Sequence, residues 1–300
     1  MARKRDVVIA IIIGFSFLVA IGFFALMFIG MMAPDRDFDF AGFGGDIGVV
    51  EIFGVIDENS GRRWIRQIDR WTKSGSIEAI VVHINSGGGG VAISQELYDA
   101  VCRAREEKPV VASLASVAAS GGYYVACGAD RVIANPGTLT GSIGVIVSFH
   151  TAQELLDKIG IGTETVKSGE MKDVFTYTRP MEENEELMIK AVIMDSYDQF
   201  VEVVAEGRGM EKEDVYAFAD GSVFTGMQAY RHGLVDTIGG LKEAIDLAAE
   251  LAGLEGEPVV VWPYERKEGG LFDVLGGLLG EVGRAVQGEM SGPQLMYLYQ

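Results

Sequence analysis

The sequence predicts an α/β domain built on a largely parallel sheet. Twice, at residues 77–106 and 110–128, an apolar strand-like run leads through a glycine-rich turn into a helical pattern, and a third apolar run resumes at 141–147. Short buried strands alternating with helices at this spacing are typical of layered α/β domains. Because loops that follow parallel strands meet at one edge of the sheet, we expect the two glycine turns to lie side by side there.

The individual elements follow from periodicity and from turn residues. Residues 57–61 are interpreted as a turn, and Ser120 is expected to open a helix. The remaining strands are expected at residues 47–55, 77–84, 110–114, 131–134, 163–166 and 259–262, and the remaining helices at 62–73, 91–106, 151–159, 182–207 and 241–252.

The N-terminal stretch differs from the rest of the chain. Residues 7–32 carry no charge, and this run is longer than the roughly 20 apolar residues that span a bilayer. Basic residues 3–5 precede it and acidic residues 35, 37 and 39 follow it. The positive-inside rule therefore predicts a single-pass cell-membrane anchor with a cytoplasmic N-terminus and an extracytoplasmic remainder. A cleaved signal peptide is the alternative, although residues 31–33 form a poor cleavage site.

These observations predict four regions. The cytoplasmic tip and transmembrane anchor occupy residues 1–32, and a juxtamembrane linker occupies 33–45. The α/β domain is expected at 46–265, followed by an apolar, glycine-rich tail at 266–300. A helix-like part of that tail, residues 271–286, is suited to packing on a partner or a second copy of the chain.

Ser120 is the first candidate functional residue. It stands where an apolar run turns through two glycines into a helix, VVASLASVAASGGYYVACG at 110–128. Unpaired N–H groups and the dipole at a helix N-terminus stabilise a developing negative charge, and glycine lets a substrate backbone approach. These are the requirements of a nucleophilic serine. By itself, a serine before two glycines is more often only an N-cap.

The other glycine turn, residues 87–90, is the expected neighbour of Ser120. A backbone N–H from each turn can together bind a tetrahedral oxyanion. A phosphate cradle is the competing use of such a run, but the run lacks the GxxxxGK[ST] pattern and matches no complete dinucleotide fingerprint.

Composition excludes several function classes. A net charge of −18 makes nucleic-acid binding unfavourable. The two cysteines, at 102 and 127, are too few for a disulfide framework and have no metal-ligand spacing, so no metal or organic cofactor is predicted. The three histidines, at 83, 150 and 232, have no evident acidic companion. A Ser-His-Asp triad is therefore poorly supported, and the base should be sought elsewhere.

Six motifs in order resemble the signal peptide peptidase A family of membrane-anchored serine proteases, in its short, single-repeat form. They are INSGGGG (84–90), ASVAASGGYYVACGAD (115–130), NPGTLTGSIGVI (135–146), KSGEMKD (167–173), ADGSVFTGMQA (219–229) and GLVDTIGG (233–240). The resemblance covers residues 47–262 and continues into PQLMYLY near the C-terminus.

This resemblance implies a ClpP/crotonase-like fold with repeated ββα units and peptide hydrolysis by a Ser-Lys dyad. Ser120 matches the nucleophile and Lys172 the general base. Gly88 or Gly89, with the N–H of Gly121, matches the oxyanion hole. One position departs from the pattern, because Gly87 stands where the family usually has proline.

The chemistry also restricts the surroundings of the base. A lysine with the reference pKa of about 10.4 is neutral in roughly one molecule in 2,500 at pH 7, so a lysine base needs burial that lowers its pKa to about 7–8. Met171, Val174 and Phe175 predict an apolar setting for Lys172. Asp173 would oppose the change and is predicted to point away, and Lys167 is the nearest alternative base.

The sequence therefore predicts a membrane-anchored serine protease that degrades signal-peptide remnants and other short or unfolded peptides. Relatives form ring- or dome-shaped homo-oligomers, and in the short form the dyad can be completed between neighbouring subunits, so a homo-oligomer is expected. A non-catalytic membrane-anchored scaffold of the same fold is the main alternative. A crotonase-type acyl-CoA enzyme is a further one, and an extracytoplasmic site with little basic character fits it poorly.

Overall fold

The computed structural model describes residues 45–263 and 296–298. The strands in these ranges are β1 Ile47–Phe53, β2 Ala79–Ser86, β3 Gly88–Gly90, β4 Val110–Ala119, β5 Arg131–Ala134, β6 Leu139–Gly141, β7 Val223–Thr225, β8 Thr237–Ile238, β9 Val260–Val261 and β10 Met296–Leu298. The helices are α1 Glu58–Lys73, α2 Val91–Glu107, α3 Gly121–Ala126, α4 Gln153–Lys158, α5 Glu183–Arg208, α6 Lys212–Tyr216, α7 Gly226–Arg231 and α8 Leu241–Leu251, with a 3₁₀ turn at Glu170–Asp173.

The main sheet is largely parallel, which confirms the α/β prediction. Its strand order is β7-β6-β4-β2-β1-β9. The first half of β4 also pairs with β5, and its second half pairs with β6. In this sheet only the β6–β7 pair is antiparallel. Since β2 and β4 are parallel neighbours, the loops that follow them meet at the same sheet edge.

Helices cover both faces of the sheet. The larger core cluster contains Leu97 of α2, Tyr123 of α3 and Phe200 of α5, all fully buried. The opposite face packs against α8 through Ala244 and Ala248. β-Branched and other apolar residues of β1, β2 and β4 are buried on both faces, as expected for central parallel strands.

The first helix begins earlier than the sequence predicts. Asp57, assigned to a turn, is instead the N-cap of α1, where its side chain accepts a hydrogen bond from the N–H of Ser60 at 2.8 Å. Gly61 lies inside this helix. A larger residue would not fit at this position, because a Cβ there would meet Ile93 of α2 at 2.2 Å. The glycine permits close helix packing and does not end the helix.

A second prediction was wrong. Residues 163–166 were expected to form a strand, but the chain has no regular secondary structure between Gly162 and Lys167. Every residue there is exposed, so no neighbouring strand supplies the hydrogen bonds that a β-strand requires.

Two predicted segments lie outside the described residues: the anchor at 7–32 and the helix-like stretch at 271–286. Within residues 45–263 and 296–298, no helix combines the length and hydropathy needed to cross a bilayer.

Candidate active site

Ser120 lies at the junction of β4 and α3, as the sequence predicts. Its residue is fully buried, and its Oγ has no hydrogen-bond partner among the described residues. Its backbone is fixed on both sides, because its N–H donates to the carbonyl of Gly141 and its carbonyl accepts from Tyr124, each at 2.8 Å. A buried hydroxyl without a partner is unfavourable in a stability-driven core, which is consistent with a functional role.

The backbone of Ser120 is strained. Its φ of 53° lies in a region that residues with a Cβ rarely adopt. Nucleophilic serines of hydrolases occupy a comparable sharp turn between a strand and a helix, which projects the hydroxyl away from the backbone. Ser142 is also at a positive φ of 50°. It directly follows Gly141, whose carbonyl accepts the Ser120 N–H, so the two described serines at positive φ are close in space.

The glycine loop after β2 lies against the start of α3. A Cβ on Gly122 would come within 2.8 Å of the Ser86 carbonyl oxygen, so the two glycine-rich turns are in direct contact, as predicted. Ser86, which the sequence reading did not single out, orders this loop: its Oγ accepts the N–H of Gly88 at 3.0 Å. Gly88 itself has a φ of 102°. The N–H of Gly88, one of the two predicted oxyanion donors from this loop, is therefore engaged by Ser86.

Gly89 cannot be replaced without moving the backbone. A Cβ there would meet the carbonyl oxygen of Ile56 at 2.0 Å. We therefore expect Gly89→Ala to lower the free energy of unfolding by about 2–3 kcal/mol through overpacking and to reduce activity. Gly75→Ala is the matched control, since no atom lies near its added Cβ. Denaturant unfolding of both variants tests this, and equal stability would contradict the tight loop geometry.

The edge of β3 is paired with β10, a segment near the C-terminus. The two strands are antiparallel, with Met296 opposite Gly90, Tyr297 opposite Gly89 and Leu298 opposite Gly88. An extended chain segment therefore pairs with the same glycines that are the candidate oxyanion donors. The backbone of β3 can thus bind an extended peptide by strand addition.

An apolar cavity of about 690 Å³ begins one residue beyond Gly141. This volume is in the usual range for ligand pockets. Among its lining residues are Ile143, Val145, Ile146, Ile193, Met194 and Tyr197. The cavity offers space for apolar side chains beside the Ser120 turn.

Lys172 lies on a segment that we call the arm, residues 147–182. Of these residues, all of them described, only Val174 is buried. Lys172 itself is exposed, so the apolar burial predicted for it is absent within a single chain. No ion pair or hydrogen bond between side chains of the described residues includes Lys172. The structure does not bring Lys172 into contact with the Ser120 hydroxyl.

The carboxylate of Asp173 points to other partners, as predicted. It accepts hydrogen bonds from Lys167 at 2.6 Å and from Arg179 at 3.0 Å. The hydrogen bond from Lys167 is the main cause that lowers the pKa of Asp173, and the hydrogen bond from Arg179 lowers it further. Lys167 also donates to the Glu170 carbonyl at 2.8 Å, so the amine of this alternative base contacts two oxygens of its own turn.

His83, His232 and Cys127 have contacts outside this site. His83 contacts Ser113 on the adjacent strand, and burial lowers its pKa. The ring of His232 packs against Phe218 and Phe224. Burial raises the pKa of Cys127 to about 12, which makes it an inert core thiol. Within the described ranges, no group of His, Cys, Asp and Glu side chains could hold a metal ion.

Comparison with known proteins decides the family. Residues 103–255, which include Ser120 and Lys172, match the model of peptidase family S49. The chain belongs to this family. Among similar family members, a putative protease of Synechocystis sp. is 40% identical over 210 residues, which is 70% of this chain and 76% of the relative. A putative protease of Methanocaldococcus jannaschii is 32% identical over 230 residues, 76% of this chain and 74% of the relative.

Relatives with more specific names are matched over less of their length. A putative signal peptide peptidase of Enterococcus faecium is 35% identical over 202 residues, which cover 67% of this chain and 58% of the relative. The chloroplastic serine protease SPPA of Arabidopsis thaliana is matched over 32% of its own length at 33% identity. Together these similarities identify the chain as a family S49 serine protease of the signal peptide peptidase A type.

Proposed function

We propose that the chain is a membrane-anchored endopeptidase in which Ser120 is the nucleophile and Lys172 the general base. The observation that carries the proposal is the Ser120 turn: a buried, strained serine with an unpartnered hydroxyl beside a glycine loop. The membrane anchor at 7–32 and the ClpP/crotonase-like assignment rest on the sequence and the resemblance.

The proposed reaction assigns one chemical role to each of these groups. The Lys172 amine takes the proton of the Ser120 hydroxyl as Oγ attacks the peptide carbonyl. The N–H groups of Gly89 and Gly121 stabilise the resulting oxyanion. The lysine ammonium then protonates the leaving amine of the peptide. The Lys172 amine next activates a water molecule, which hydrolyses the acyl-enzyme. No metal or organic cofactor is needed for these steps.

The dyad is completed between copies of the chain in this proposal. The arm exposes large apolar side chains, with Leu155 and Ile159 each 59% exposed and Val166 fully exposed. Exposed apolar surface of this extent is typical of surfaces that a partner covers. A neighbouring copy that packs on the arm would bury Lys172 of the first copy and place its own Ser120 beside this lysine. The contact would give Lys172 the apolar setting that the single chain lacks.

The substrates proposed are cleaved signal peptides and other short or unfolded apolar peptides near the membrane. The apolar cavity beside Gly141 fits side chains of this kind, and the edge of β3 fits an extended backbone. Cleavage of a fluorogenic, signal-peptide-like substrate by the full-length chain tests this function. A parent chain that assembles but cleaves no such peptide would favour the non-catalytic scaffold instead.

The pairing of β10 with β3 leads to a further prediction. A segment that occupies the peptide-binding edge competes with substrate, because only the open fraction of molecules can bind. Deletion of residues 292–300 is therefore expected to lower KM for a short peptide by about 2- to 10-fold. Tyr297→Pro, which removes a backbone donor from β10, should act in the same direction. Unchanged KM in both variants would show that β10 does not cover the site.

A further inference from the structure

Four charged side chains connect the arm to α5. The Asp173 carboxylate binds Lys167 and Arg179, at 2.6 Å and 3.0 Å. Arg179 also grips Glu185 with two hydrogen bonds, of 2.8 Å and 2.6 Å. The guanidinium thus bridges the turn that carries Lys172 and the first turn of α5.

The α5 end of this bridge is fixed. The Glu185 side chain is 2% exposed, and it also accepts the backbone N–H of Glu182 at 2.8 Å, which closes the capping box of α5. The Arg179 contact is the main cause that lowers the pKa of Glu185 to about 2. A planar guanidinium that binds two carboxylates at once is suited to fixing geometry, which a lysine at the same place could not do.

The surroundings of Lys172 show what the bridge achieves. The charged groups around its turn are Lys167, Glu170, Asp173, Arg179 and Glu182 on the arm, with Glu185 from the first turn of α5. Asp173 directly follows Lys172 in the chain. A free carboxylate beside an amine favours the ammonium form and so opposes its use as a base. In the structure this carboxylate is turned to Arg179 and Lys167.

We propose that Arg179 is a positioning residue for the Ser120–Lys172 reaction: together with Lys167 it holds the Asp173 carboxylate away from Lys172, and it fixes the Glu170–Asp173 turn on α5. This inference rests on the proposed function, since it assigns a role relative to that base. Arg179 and Glu185 need not touch the substrate. They act through the turn that presents Lys172.

The test is the pH profile of kcat/KM for the full-length chain between about pH 6 and pH 10. Arg179→Leu leaves Asp173 with Lys167 as its one remaining cationic partner and frees the turn from α5, so the acidic limb is expected to move to higher pH by about one unit. Asp173→Asn alone should leave the limb near that of the parent, because its charge is already compensated. In the double variant the limb should return to the parent position. Such non-additivity is the signature of direct coupling.

Two controls keep the test specific. Arg62→Leu removes an exposed arginine that also pairs with two carboxylates, Glu58 and Glu96, and it should leave the limb unchanged. Arg179→Lys keeps a cation beside Asp173 but loses the double grip on Glu185, so kcat should fall several-fold while the limb stays in place. If Arg179→Leu assembles poorly, the lysine variant carries the test.

The inference would be overturned by a limb that moves no further in Arg179→Leu than in Arg62→Leu, or by a shift that persists when Asp173→Asn is added. A limb shifted in Arg179→Lys as far as in Arg179→Leu would also overturn it. These results are distinct from failure of the proposed function, which would appear first as a parent without activity or as full activity in Ser120→Ala and Lys172→Ala.

Discussion

Replacing Ser120 by alanine is expected to lower kcat/KM by about 10⁴-fold or more, because the nucleophile of a covalent mechanism is removed. The stability of the variant should change little. The Ser120 Oγ has no hydrogen-bond partner among the described residues, so its removal leaves no buried group unsatisfied. Loss of activity with an unchanged thermal midpoint therefore separates a catalytic serine from a structural one.

Ser113→Ala is the matched control. Ser113 is also a buried serine of β4, but its hydroxyl contacts His83 at 3.2 Å, away from the α3 junction. This variant should keep its activity. If Ser120→Ala instead cleaved at the parent rate, or lost activity only because it unfolded, the nucleophile assignment would be wrong.

Lys172→Ala is expected to be as inactive as Ser120→Ala, because without the base the serine hydroxyl stays protonated. An assembly that contains both inactive variants tests whether the two residues come from different copies. If each site takes Ser120 from one copy and Lys172 from its neighbour, a random equal mixture leaves about a quarter of the sites with both groups. Co-expression of the two variants should therefore restore about a quarter of the parent activity.

The exposure of the arm is the physical reason to expect a site shared between two copies. Lys172 lies on a segment in which only Val174 is buried, while Ser120 is enclosed in the core. Measured cleavage rates of the co-expressed oligomer, compared with each variant alone, decide the matter. Activity absent from the mixture but present in the parent would mean that the arm of one chain completes its own site.

The local part of the site could be predicted from the sequence. Apolar periodicity followed by Ser120-Gly121-Gly122 indicated a strand, a turn and a helix, and these are β4, Ser120 and α3. The contact between the two glycine turns followed from parallel neighbours sharing a sheet edge. The turn predicted at residues 57–61 was wrong because Gly61 serves close packing against Ile93 of α2. No local pattern shows which helix will pack there.

Other features of the site could not be predicted in this way. The hydrogen bond from Gly88 to Ser86 depends on the exact path of a four-glycine loop. The Arg179 bridge joins residues whose spacing matches no motif, and β10 lies more than two hundred residues from β3. The arm shows the same limit: Met171, Val174 and Phe175 predicted burial around Lys172, but this chain alone buries only Val174 among them.

Covalent labelling tests most directly whether Ser120 is the nucleophile. The full-length chain, in its assembled form, is treated with a fluorophosphonate that reacts with activated serines, and the modified residue is located by mass spectrometry of its peptides. We expect one major adduct on Ser120, absent from Lys172→Ala because the base that activates the hydroxyl is missing. An assembled protein that forms no adduct, or an adduct on another serine, would contradict it.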